Sequence, residues 1–129
     1  MNARFFRLDG TADSQLWISE ASRMPRLLHW GAQLPAGEDL EALARALEAP
    51  IPQGGLDVAE FVSWLPEPGR GFADLPGLVL RRGDSHLLTA FELREAVSLA
   101  DGWRFELADP PSGVALVLWW IQIHFPFWQ

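Results

Sequence analysis

The sequence predicts a mainly β fold, an antiparallel β-sandwich (a partial supersandwich) with one α-helix around residues 38–48. Short runs of β-branched and aromatic residues recur along the chain, with Gly, Pro and Asp turn signals about 8–12 residues apart, which is typical of antiparallel sandwiches. The 129 residues, 49% of them hydrophobic, are enough for one buried core and too few for two domains.

The first part of the chain predicts strands joined as hairpins. Residues 4–8 stop at the turn pair Asp9-Gly10, and residues 15–19 resume with β-favouring side chains. Residues 24–31 follow, and Pro25 restricts this segment to a strand start or to an edge position because proline cannot donate a ladder hydrogen bond.

One segment has a helical pattern. Leu40, Leu43 and Leu47 fall on one face at helical spacing, and acidic residues at the start suit the positive end of the helix dipole. Pro50 and Pro52 end the pattern. Because the apolar stripe is narrow, we expect this helix to pack on a larger element.

Residues 49–77 are too rich in proline and glycine for regular secondary structure. A connection of this length inside a compact domain is usually functional or anchored by its own packed side chains. The expected anchors are Phe61, Trp64, Leu65 and Phe72.

After Gly77 the pattern returns to strands separated by turns. The predicted strands cover residues 78–81, 86–95, a run through Leu99, 103–107 and 114–118. The turns between them fall at residues 82–85, 100–102 and 109–113.

Charge and composition argue against several classes of function. A formal net charge of -7 argues against a protein that tracks nucleic-acid phosphates, and the absence of cysteine excludes disulfides and cysteine zinc sites. No N-terminal segment has the pattern of a signal peptide, and the apolar run 114–127 falls short of the ~20 residues that a membrane-spanning helix needs. We therefore expect a soluble cytoplasmic domain that binds neither nucleic acid nor membrane.

The segment Arg82-Gly83-Asp84-Ser85 contains two short motifs. One is the Arg-Gly-Asp triplet of integrin ligands, and the other is the Gly-Asp-Ser block of one lipase family. The first lacks a secretory context, and the second lacks a following helix and a distant Asp-x-x-His. We interpret the segment as a polar hairpin turn in which Gly83 has a positive φ and Asp84 caps the bend.

No metal or cofactor site is predicted. The histidines are isolated, each without a second ligand at metal-site spacing, and Gly69-Arg70-Gly71 opens no helix that could bind a phosphate. Asp9 and Asp13 lack the further oxygen ligands of an EF-hand. The isolated histidines are His29, His86 and His124.

Two kinds of side chain could give such a chain a role with carbohydrates: paired carboxylates for hydrolysis and exposed tryptophans for binding. A glycosidase needs two carboxylates facing each other across ~5–9.5 Å, and the sequence pairs none of its acidic residues. Exposed tryptophans can stack on sugar rings, although seven tryptophans in a small sandwich belong mostly to core and interface. Trp30 and Trp64 are the two candidate platforms.

Four segments follow one another in an order and spacing that resemble a known family. They are residues 27–31 (LLHWG), 66–72 (PEPGRGF), 76–78 (PGL) and 91–93 (FEL). With the helix-bearing insertion between the first two, the arrangement resembles the N-terminal β-supersandwich domain of glycoside hydrolase family 36, the microbial α-galactosidases. The resemblance covers about residues 5–118.

The resemblance implies a non-catalytic role. In that family the supersandwich precedes a (β/α)8 barrel that holds two catalytic aspartates and hydrolyses terminal α-D-galactosides with retention. Such a barrel takes roughly 250 residues and none of it is present, so no residue inherits a catalytic role and we expect the chain to be inactive alone. The implied function is packing on the catalytic barrel and support of oligomer or substrate-site formation.

Residues 119–129 depart from the family pattern, so residues 1–118 are assigned to the sandwich domain and the aromatic remainder to a C-terminal tail. We interpret the departure as a truncation or a shifted reading frame, and we expect exposed strand edges to cause self-association. Two alternatives stay open: an independent carbohydrate-binding module that uses exposed tryptophans, and a small structural or interaction protein.

Overall fold

The computed structural model describes residues 2–48, 63–72 and 74–122, and within these ranges the chain is mainly β with one α-helix, as predicted. Phe61, the two prolines expected to end the helix, and residues 123–129 lie outside the described ranges. The elements are β1 (Ala3–Asp9), β2 (Asp13–Glu20), β3 (Arg26–Ala32), α1 (Leu40–Ala46), β4 (Leu80–Arg82), β5 (Ser85–Leu87), β6 (Glu92–Leu99), β7 (Gly102–Asp109) and β8 (Val114–Ile121).

The strands form two three-stranded antiparallel sheets and a short hairpin. Their orders are β1-β2-β3, β6-β7-β8 and β4-β5. In the short hairpin Arg82 pairs with Ser85, which leaves Gly83 and Asp84 as the two-residue loop, and Gly83 has a φ of 61°. A positive φ at the first loop position is the mark of a type II′ turn, so the predicted hairpin turn is confirmed.

The core lies between the inner faces of the two larger sheets. Phe6 of β1 packs edge-on against Phe105 of β7, with ring centroids 5.0 Å apart, and Trp17 of β2 packs in the same way against Trp120 of β8 at 4.5 Å. The indole N–H of Trp120 also crosses the gap and donates to Gln15 Oε1 at 2.7 Å. Aromatic packing and this hydrogen bond together hold the sheets as a sandwich.

Two of the expected loop anchors do pack on this core. Trp64 lies parallel to Trp120, with ring centroids 5.6 Å apart, and Leu65 contacts the same hydrophobic cluster. The Trp64 backbone N–H donates to the Pro25 carbonyl at 3.3 Å, which fastens the loop to the start of β3. Phe72, the third described anchor, is half-buried.

The helix is shorter and more exposed than the sequence pattern suggests. It covers Leu40–Ala46, and the Asp39 side chain caps its start by accepting a hydrogen bond from the Ala42 N–H at 2.9 Å. None of its residues is buried, and Leu47, at its C-cap, is 49% exposed. In the narrow stripe Leu40 and Leu43 are half-buried and Leu47 is exposed, so the stripe is only partly covered.

The expected strand 86–95 is interrupted after Leu87 and resumes at Glu92. The interruption has a side-chain cause: Glu67 and Asp109 accept hydrogen bonds from the backbone N–H groups of Phe91 and Ala90. Those groups are therefore unavailable for a strand ladder.

The last strand continues beyond residue 118, where the sequence pattern suggested a boundary. β8 pairs with β7 as far as Ile121, and the Gln122 N–H donates to the Asp101 carbonyl at 2.8 Å. Trp119 and Trp120 consequently belong to the sheet.

Candidate functional site

One face of the second sheet combines apolar side chains with high exposure, and we call it the outer face. Along β8 the side chains alternate between the core and this face, where Val117, Trp119 and Ile121 are 50%, 58% and 46% exposed. The pairing register adds Val97 and Leu99 of β6, both half-buried, on the same side of the sheet. The outer face therefore has an exposed apolar row along β8, centred on one tryptophan, and two half-buried apolar side chains on β6.

A charged stripe crosses the middle of the outer face. Arg104 of β7 donates to Glu95 at 3.1 Å and also to Glu106, and its guanidinium lies 5.9 Å from the ring centroid of Trp119. Glu106 raises the pKa of Arg104 further above its ordinary value. The two glutamates lie opposite each other on β6 and β7, so Arg104 offsets a like-charge pair while it supports the Trp119 ring.

Two buried carboxylates form a second cluster, which the sequence did not reveal. Glu67 is 6% exposed and accepts from the Phe91 N–H at 2.7 Å, while Asp109 is 3% exposed and accepts from the Ala90 N–H at 3.3 Å. Arg70 completes the cluster by donating to the Phe91 carbonyl at 3.2 Å. The three side chains therefore hold the segment between β5 and β6 in place.

The pKa values of these carboxyls move in opposite directions. Burial raises the pKa of Glu67, because a charged carboxylate loses solvation there, and Asp109 adds a repulsion in the same direction. Hydrogen bonding to Ser112 lowers the pKa of Asp109. Because both groups already accept backbone N–H donors, the arrangement suits loop anchoring better than proton transfer to a substrate.

A surface cleft of about 610 Å³ lies beside the first sheet, lined by Arg7, Asp9 and residues 33–36. Arg7 Nε donates to both carboxylate oxygens of Asp9 at 2.8 and 2.9 Å, and its terminal nitrogens donate to the carbonyls of Leu34 and Pro35. Burial opposes ionisation of Asp9, but Ser14 and Arg7 outweigh it and lower the pKa. The charges of the cleft are thus used to fasten the chain that leads into α1.

The two candidate sugar platforms differ in position. Trp30 of β3 is 63% exposed, so its ring is open to solvent. Trp64 packs against the core and contacts the rings of Trp17, Phe105 and Trp120, so it offers no open platform. Composition could not separate the two, because the difference depends on which distant strand each ring meets.

In the described part of the chain, the histidines considered as metal ligands do not come together with other ligands. His29 Nε2 lies 3.1 Å from the Ala32 carbonyl oxygen, and His86 is exposed on β5, while His124 lies outside the described residues. In residues 2–48, 63–72 and 74–122 no three His, Asp or Glu side chains come together in a group that could hold a metal ion.

The Arg-Gly-Asp segment forms the exposed tip of the short hairpin, and Arg82 donates there to the Ser112 carbonyl. Ser85, the serine of the lipase-like motif, begins strand β5 and not a helix.

None of the helical residues described belongs to a helix long and apolar enough to cross a membrane. Comparisons of the chain with family models, curated proteins and solved structures find no match.

Proposed function

We propose that this chain is a non-catalytic β-sandwich domain that packs on a catalytic domain through the outer face of β6–β8. The observation that carries the proposal is the exposure of Val117, Trp119 and Ile121 side by side on that face. Exposed apolar side chains grouped along one strand are typical of interaction sites, and exposed Trp beside Arg is the composition of interface anchors. Arg104 against Trp119 supplies that pair.

The proposed partner is the catalytic barrel of an α-galactosidase, an enzyme that hydrolyses terminal α-D-galactosides. The sequence resemblance to the N-terminal domain of glycoside hydrolase family 36 supports this partner. The structure supports the non-catalytic part of the proposal, because the buried carboxyls of Glu67 and Asp109 are engaged with backbone N–H groups. Catalysis would then belong wholly to the barrel.

The first experiment measures hydrolysis of a chromogenic α-galactoside. The purified 129-residue chain is assayed beside the same chain extended by the sequence that its gene region encodes downstream. We expect activity only in the extended polypeptide. Activity in the short chain would overturn the non-catalytic assignment, and an extension without a catalytic barrel would overturn the proposed partner.

A pair of variants in the extended polypeptide tests the surface itself. Trp119→Ser removes the exposed ring at the centre of the outer face, and Trp30→Ser removes an equally exposed ring from the other sheet. We expect only Trp119→Ser to lower the melting temperature of the catalytic domain and its activity after heating. Equal effects of the two variants would contradict docking through the outer face.

A second candidate function is an independent carbohydrate-binding module, and the 63% exposure of Trp30 favours it. A sugar ring stacked on Trp30 would change its fluorescence. The test is a titration of the isolated chain with galactose and with an α-galactoside. A saturable change that Trp30→Ser abolishes would support this module, and no change at millimolar sugar would exclude it.

A further inference from the structure

The edge of β8 differs from the other long sheet edges in having no protection against pairing. β1 carries charged side chains such as Arg4 and Arg7, and the β2–β3 and β6–β7 pairs contain register shifts. Charges, bulges and proline are the usual devices that keep an edge from pairing with another chain. β8 reads VALVLWWI, without charge, proline or register shift, and its outer edge pairs with no other strand in the described part of the chain.

We propose that β8 pairs in antiparallel fashion with β8 of a second copy of this chain, which joins the two β6–β8 sheets into one six-stranded sheet. Leu118 would lie on the two-fold axis. In this register, paired residues are separated by an even number of positions in the sequence. Because side chains alternate between the two faces, paired side chains then lie on the same face of the joined sheet. It places Val117 opposite Trp119 of the second copy and Ala115 opposite Ile121 of the second copy.

The side chains that meet in this register are complementary in size and charge. On the outer face a small side chain meets a large one at each position, and cross-strand pairs of an aromatic with a β-branched residue stabilise sheets. Within one chain Glu106 pairs with Val117, and Arg104 pairs with Trp119. The outer-face row through Val117 and Trp119 of the second copy therefore has Glu106 on one side and Arg104 of the second copy on the other. The row through Ala115 and Ile121 of the second copy is flanked by Ala108 and by Gly102 of the second copy, so neither row brings like charges together despite the net charge of -7.

The expected dimer is weak. Eight strand residues give a shared edge about 27 Å long, in a sheet layer about 10 Å thick. That strip is smaller than the ~800 Å² per partner of a standard stable interface, so we expect a Kd in the micromolar range.

This inference does not depend on the proposed function. The edge of β8 points along the sheet and the outer face points away from it, so both contacts can exist together. The test uses the 129-residue chain alone, without a catalytic domain, so its failure is separate from failure of the barrel proposal.

Sedimentation equilibrium measures the mass of the chain from about 1 to about 500 μM, a range that brackets a micromolar Kd. We expect the weight-average mass to rise from 14.4 kDa toward twice that value. Val117→Lys places two lysines at diagonal positions whose Cα atoms lie roughly 7–8 Å apart across the axis, and because their like charges repel we expect at least tenfold weaker association. The matched control is Val79→Lys, which adds the same charge at a valine that is 58% exposed outside β8 and should dimerise like the wild type.

A monomer at every concentration, or undiminished association of Val117→Lys, would overturn the proposal.

A cross-linking experiment tests the two-fold symmetry of the proposed dimer. The chain has no cysteine, so Val117→Cys introduces a single thiol for a bismaleimide of roughly 8 Å reach, which matches the diagonal distance. We expect a covalent dimer from Val117→Cys and none from Val79→Cys; equal products from both would point to random collision and overturn the two-fold register.

Discussion

Leu107→Ala is the most direct test of where the core lies. Leu107 is 1% exposed on β7, the central strand of its sheet, and it pairs with Leu93 on one side and Leu116 on the other. Because Leu107 is enclosed on a central strand, the neighbouring strands cannot move in to fill the cavity that Leu107→Ala leaves. We therefore expect a loss of unfolding free energy toward the upper part of the usual Leu→Ala range, about 3–5 kcal/mol. The whole domain should have a free energy of unfolding of only about 6–19 kcal/mol, so the loss is a large fraction of it.

The assays are guanidinium unfolding, which gives the free energy of unfolding, and thermal unfolding, which gives the melting temperature, each followed by tryptophan fluorescence and by far-UV circular dichroism. For a chain of this size, a loss of about 0.27 kcal/mol in unfolding free energy lowers the melting temperature by one degree. The melting temperature should therefore fall by roughly 11–18 °C. Leu75→Ala is the matched control, because it removes the same atoms from a side chain that is 83% exposed. We expect that control to stay within about 0.5 kcal/mol of the wild type. Equal losses in the two variants would refute a core between the two sheets.

Three further variants test the sheet contact and the buried carboxyls. Gly102→Ala places a methyl group inside van der Waals contact with the Trp120 carbonyl oxygen, so we expect a loss of roughly 1–3 kcal/mol in the free energy of unfolding. The matched control is Gly37→Ala, which should change little because no atom lies within 4 Å of the added methyl group. Burial raises the pKa of Glu67 above its ordinary value of 4.5, so the folded chain loses stability as pH rises from 4.5 through the folded-state pKa. Glu67→Gln cannot ionise, so its stability relative to the wild type should increase over that interval. The pKa of Asp109 is lowered below 3.8, so its ionisation stabilises the fold above 3.8 and Asp109→Asn should lose most at neutral pH. Melting curves from pH 3 to 7 that run parallel for wild type and variants would contradict both carboxyl assignments.

Local sequence chemistry accounts for the elements that could be predicted. Gly83 predicts its hairpin because a two-residue loop needs a positive φ, and Asp39 begins the helix because its side chain satisfies a free backbone N–H. The break between β5 and β6 could not be predicted in this way. It depends on the carboxyl groups of Glu67, in a loop, and Asp109, at the end of β7, and both residues are distant in sequence from the segment that they hold.

The candidate surfaces depend even more on distant contacts. Trp30 and Trp64 look alike in sequence, and only the pairing of sheets decides that Trp64 stacks on Trp120 while Trp30 stays open. The buried pair Glu67 and Asp109 had one local signal, a glutamate between two prolines in a loop, and that signal does not name its partner. Spacing alone therefore predicts strands better than it predicts sites.

The two proposals have a common physical origin in β8. A strand that is apolar on both faces is typical of a position buried on both sides, yet in this chain only the inner side chains, such as Leu116 and Trp120, meet the core. The opposite face leaves Trp119 exposed, and the unprotected edge leaves backbone groups without a strand partner in the described chain. A catalytic domain on the face and a second copy at the edge would together give β8 the burial that its composition is suited to. If Val117→Lys left self-association unchanged and Trp119→Ser left the extended polypeptide unchanged, the apolar outer side of β8 would need another explanation.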